Sequence, residues 1–116
     1  MFEKKKNISG VFAINLLGQD RQLKATFGAI ERLEESGVPI LKRLYDASSI
    51  APRFVDIVDV IWYGLAGNKD TRLTRDQIGE AVLAEGLDKF APVYIKFLTY
   101  CITGEKSGVE NPLEKK

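Results

Sequence analysis

The chain has 116 residues, 45% of them apolar and 28% charged, with a net charge of +1. This is the composition of one globular domain, which excludes a disordered chain and leaves no room for a second core. Lys4, Lys5 and Lys6 outweigh Glu3 near the start, so the remainder is slightly acidic and has no basic stripe for nucleic acid.

Residues 1–10 read as a flexible basic tail. The lysines are not followed by a long apolar segment, so the start does not read as a signal peptide. No run approaches the ~20 apolar residues of a membrane span, and the expected location is the cytosol.

Residues 11–104 are expected to form the globular domain. Val11, Ala13 and Leu16-Leu17 alternate before Gly18-Gln19-Asp20, and Leu23, Ala25 and Phe27 alternate after it, which predicts a β-hairpin. Arg21, Gln22 and Lys24 would keep one face in water. A lone hairpin is unstable, so helices must pack on it.

Five helices follow in the pattern. Thr26 can cap the first, which points Ile30 and Leu33 inward and stops at Gly37. Pro39 suits the first turn of a short second helix carrying Leu41, Leu44 and Tyr45, ended by Ala47-Ser48-Ser49. The third starts near Pro52 and sets Phe54, Ile57, Val58, Ile61, Trp62 and Leu65 in one stripe, with Val55 and Val60 widening it. Asp56, Asp59 and Tyr63 lie on its opposite, polar side.

The fourth helix opens with a capping box, Thr74 to Gln77, and carries Ile78, Val82 and Leu83 as far as Gly86. The fifth spans about Asp88 to Thr103 with Phe90, Val93, Tyr94, Phe97, Leu98 and Cys101 inward. Pro92 should lie in its first turn or begin it after a bend. Residues 105–116 read as a disordered polar tail. The fold class is α+β, mainly α: an N-terminal hairpin and about five helices in a small single-domain bundle.

Catalytic equipment is sparse. The chain contains no histidine, which removes the commonest general base, the Ser-His and Cys-His pairs and most zinc sites. Its single cysteine, Cys101, falls on an apolar face, where a thiol acts as a small hydrophobe. Gly64-Leu-Ala-Gly-Asn-Lys-Asp70 has glycines and a lysine, but not the phosphate-loop spacing, and it follows a helix instead of a strand. Its Asn-Lys-Asp lacks the intervening residue of the GTPase guanine motif. A calcium loop would need glycine at its sixth position and Glu at its twelfth, and neither is present.

Asp56 and Asp59 are three apart with no third ligand near them in sequence, and read as a solvated face. No catalytic, metal or cofactor residue is assigned. Tyr63 shares that polar side as the single candidate partner contact, with a partly buried rim position as its other reading.

Taken together, Thr26-Phe-Gly-Ala-Ile-Glu-Arg-Leu-Glu-Glu35, Ile57-Val-Asp-Val-Ile-Trp-Tyr-Gly-Leu-Ala-Gly67, Leu73-Thr-x-x-Gln-Ile-Gly79 and a last helix closing at Gly104-Glu105 form an ordered set. It resembles the tail-assembly chaperones of siphophages and gene transfer agents across roughly residues 8–106. Gln77 stands where many members would carry Glu, which keeps the capping role.

The resemblance implies a small non-enzymatic protein of the bacterial host cytoplasm. It would bind the tape-measure protein, with the tail-tube protein as a second candidate partner, assist tube assembly, and be absent from the finished particle. It implies no cofactor, nucleic acid or membrane, and leaves a homo-oligomer open. The other reading is a small cytosolic adaptor or a DNA-binding regulatory module. For the latter, the Thr74 helix is poorly suited, with Arg75 against Asp76, Glu80 and Glu85.

Overall fold

Alternation of apolar and polar residues produces β1 (Val11–Leu16) and β2 (Gln19–Lys24), paired antiparallel from Leu16↔Gln19 to Val11↔Lys24 in a computed structural model that describes residues 10–104. The connection is a two-residue turn, Leu17-Gly18, with φ of 51° and 83°. Positive φ at both positions matches the twist of a tight hairpin. Gln19 and Asp20, expected in the turn, therefore belong to β2. The Asn15 side-chain oxygen accepts from the Gly18 amide at 3.2 Å, and the Glu85 carboxylate accepts the Leu17 amide.

The tails expected at 1–10 and 105–116 lie outside the described residues, except Gly10. That glycine is buried, and its carbonyl accepts from the Ala25 amide at 2.8 Å, so it belongs to the globule.

Five helices follow: α1 (Phe27–Glu35), α2 (Ile40–Ser49), α3 (Phe54–Gly67), α4 (Arg75–Glu85) and α5 (Leu87–Thr103). Thr26 caps α1 by accepting from the Ala29 amide at 3.1 Å. At α4 both halves of the capping box are made, with Thr74 Oγ1 accepting from the Gln77 amide and Gln77 Oε1 from the Thr74 amide. These hydrogen bonds satisfy donors that a helix start leaves unpaired. α2 runs through Ala47, Ser48 and Ser49 instead of breaking there.

α3 is central and touches β2, α1, α4 and α5. Ile57, Val58, Val60, Ile61 and Leu65 are buried; Phe54 and Trp62 pack at the margin, while Val55 is exposed. Its two late glycines admit the hairpin. A Cβ on Gly64 would lie 2.9 Å from the Leu23 Cβ, and one on Gly67 would lie 2.2 Å from the Lys24 carbonyl oxygen. The left-handed residue after α3 is Lys69, φ 62°, and Gly67 remains helical.

Gly86, φ 96°, joins α4 directly to α5. Because α5 starts at Leu87, Pro92 sits in its second turn, deeper than the first-turn position expected. A proline amide cannot donate, so the Asp88 carbonyl receives no helical bond there. Phe90, Tyr94, Phe97 and Leu98 of α5 are buried, and Phe97 and Tyr100 pack on Phe12 of β1 at ring separations of 5.6 and 6.0 Å. Leu83 of α4 is exposed; the buried phase is Ile78, Ala81 and Val82.

Candidate protein-docking face

The phase of α2 is set by a charge. Ile40 and Arg43 point inward with Leu44 and Ala47 partly covered, which turns Leu41 and Tyr45 outward at 67% and 66% exposure. The expectation that Leu41 and Tyr45 face the core is therefore wrong by about one residue of helical phase. The cause is Arg43, which is fully buried.

Its guanidinium is held from four directions. Nη1 reaches Asp56 Oδ1 at 3.0 Å and Asp59 Oδ2 at 3.8 Å, Nε donates to the Val38 carbonyl at 2.9 Å, and Nη2 donates to Ser36 Oγ at 2.7 Å. Asp56, 1% exposed, also accepts from Arg53 Nε and Nη2 at 3.0 and 2.9 Å. Asp59 is shared with Arg75 of α4, whose Nη2 lies 2.7 Å away. Arg43 and its two aspartates thus join α2, α3 and α4. The reading of Asp56 and Asp59 as a solvated face is overturned, because Arg43 arrives from another helix to neutralise them.

Tyr94 adds to this buried region. Its hydroxyl lies beside the Arg43 guanidinium without a hydrogen bond of good geometry among the described residues. Burial, and then the Asp56 charge, pushes its pKa up and keeps the phenol neutral.

Above the cluster, Leu41 and Tyr45 are four apart and so neighbours on the helix surface. Ile50, just past α2, is 81% exposed, and Val55 opens α3 on the exposed side. Lys42 and Asp46 pair at 3.1 Å on α2. On α2 the result is an exposed apolar pair, backed by a fixed ion-pair anchor and flanked by the Lys42–Asp46 pair. Such a face can dock a protein.

Tyr63 lies elsewhere. It is half-buried against Trp62, ring centroids 5.0 Å apart, and lines a depression of about 290 Å³ with Thr26, Gly28, Arg32 and Lys69. None of the exposed α2 residues lines that depression.

The Asn68-Lys69-Asp70 string is turned inward on itself. Its three amides donate to the carbonyls of Gly64, Ala66 and Leu65 at 2.8 to 3.1 Å, which leaves none directed at an anion. Asp70 is gripped by Arg21 at 2.8 Å and Arg72 at 3.0 Å. Hydrogen bonds from Arg72 and then Arg21 hold its pKa down to about 2 against the opposing effect of burial. The Arg21 side chain, expected in water, is largely buried by this contact.

Among the described residues, no group of three or more Cys, Asp, Glu or His side chains is placed to hold a metal ion, and no helix is long and apolar enough to cross a membrane. The Cys101 thiol is partly covered, and burial, then the Glu34 charge, pushes its pKa up to about 12.

The sequence reading missed Arg43 as an anchor and Leu41 and Tyr45 as exposed. One signal was present: Ile40, Arg43, Leu44 and Ala47 form a stripe only if the arginine is accepted within it. No protein-family model, no curated protein and no solved structure matches the chain.

Proposed function

We propose that the chain is a non-enzymatic tail-assembly chaperone of a phage, prophage or gene transfer agent, which binds the tape-measure protein through the outer face of α2. The observation that carries this reading is the exposed Leu41-Tyr45 pair on a helix locked by the buried Arg43. A long helical partner has its own apolar stripe, and laying it along α2 would cover both surfaces until tube subunits replace the chaperone.

The ordered motifs of the resemblance support the same reading. They fall on the α1 cap, the close approach of α3 to the hairpin and the α4 capping box. The chaperone would act in the cytoplasm of the bacterial host and leave before the particle is complete. Arg75, the first residue of α4, is engaged by Asp59, and Asp76, Glu80 and Glu85 make the rest of that helix acidic. That favours a protein partner over DNA.

Co-expression with the tape-measure protein that this reading expects to be encoded beside the chain tests the proposal. The native chain should co-purify with it, and the double variant Leu41→Ala, Tyr45→Ala should lose it while melting normally. Absence of native co-purification, or normal tail yield after deletion of the gene, would overturn the reading.

A further inference from the structure

The two edges of the hairpin are treated differently. The Gly10 carbonyl accepts from Ala25, and the register puts Phe12, Ile14 and Leu16 in the same bonded phase, opposite Leu23, Arg21 and Gln19. Val11, Ala13 and Asn15 therefore turn their N–H and C=O groups to the outer edge of β1. Among the described residues these groups have no main-chain partner.

The β2 edge is obstructed at its Lys24 end. Its outward Lys24 carbonyl accepts from the Thr26 amide at 3.1 Å, and Gly67 of α3 packs against the same oxygen so tightly that a Cβ there would sit 2.2 Å away. Residues Asn68 to Asp70 and Arg72 share a depression with Asp20, Arg21 and Gln22 of β2 and, across the strand pair, Ala13 of β1.

Natural edge strands are protected by charge, proline or a bulge. β1, Val-Phe-Ala-Ile-Asn-Leu, has no charge and no proline of its own, and its pairing with β2 has no break in register; the one cation that reaches it among the described residues is Lys89 of α5, 3.4 Å from Asn15 Oδ1 near the turn. We propose that this edge pairs with β1 of a second copy, antiparallel about a two-fold axis at Ala13, to make a four-stranded sheet.

A second copy fits because the strand is complementary to itself. Val11 would face the partner's Asn15, Ala13 would face its own counterpart, and no like charges meet. Ala13 is exposed and small, so nothing bulky stands at the axis. Because β1 pairs with β1, both chains use the same edge, and the contact closes at two copies.

The contact would add about six main-chain hydrogen bonds along an edge about 20 Å long. A stable interface covers about 800 Å² per partner, more than one strand edge supplies, so the dimer is expected to depend on concentration. It stands independently of the α2 docking face, since α2 is not part of the hairpin.

The test is sedimentation of the full chain across a wide concentration range, with amide exchange followed by NMR. Concentration should convert monomer to dimer and slow exchange at Val11, Ala13 and Asn15 by about tenfold or more, while Phe12, Ile14 and Leu16 stay protected throughout. Ala13→Lys and Ala13→Glu should each be folded and monomeric, and mixing them should restore a dimer by setting Lys opposite Glu. A chain that stays monomeric at every concentration overturns the proposal. So does a dimer in which the Val11, Ala13 and Asn15 amides exchange freely.

Discussion

The Arg43 guanidinium of α2 and the Asp56 carboxylate of α3 meet at 3.0 Å with both side chains shut off from water. A buried pair of this kind adds little over a well-packed apolar pair, yet breaking it leaves one charge buried without compensation. Asp56→Ala should therefore cost about 3–5 kcal/mol in urea unfolding. The double change Arg43→Met, Asp56→Leu should cost clearly less than the sum of the single changes. Additive losses would mean that the two side chains act separately.

The helical glycines should divide sharply by their surroundings. Gly67→Ala would drive a Cβ into the Lys24 carbonyl and Gly64→Ala would press on Leu23, so each should destabilise by about 1–3 kcal/mol. Gly79, inside α4, has open space where a Cβ would stand, with nothing within 4 Å, and Gly79→Ala should stabilise by about 0.5–1 kcal/mol. Thermal melts of the three variants check the contrast.

Acid should loosen the contact between the hairpin and the loop after α3. Asp70 titrates at about 2 in the folded chain against 3.8 for the free side chain, held down by Arg72 and then Arg21. A lowered pKa contributes stability that is complete above 3.8 and is lost as pH falls through about 2. Asp70→Asn should flatten stability across that window. Equal acid sensitivity of the native chain and the variant would count against the assignment.

Cys101 should be sluggish toward thiol reagents. With its pKa pushed up to about 12 from 9.0, the thiolate is scarcer by on the order of a thousandfold. Disulfide-exchange labelling at mildly alkaline pH should be slow in the folded chain and rise steeply in denaturant. Equal rates in both states would show that the thiol is not shielded.

Features written into a few consecutive residues were legible in the sequence. The Thr74–Gln77 capping box and the Thr26 cap each need only a four-residue window, and both are formed. The central helix was legible because its stripe repeats over 14 residues. Asp56 was not, since the residue that buries it lies 13 positions away on another helix. The same missing contact hid the face of α2, whose orientation follows from which side Arg43 takes. Pro92 was misplaced because α5 runs unbroken from Leu87 through the proline instead of bending or beginning there.

α3 comes from mid-chain, and its neighbours approach it from both sides in sequence: β2 and α1 before it, α4 and α5 after it. A cut in the 68–73 connection would strand the apolar flank of α3 on one piece and the helices that cover it on the other. Neither piece would then hold a complete core, so the 68–73 connection is a point at which one break exposes apolar surface on both sides.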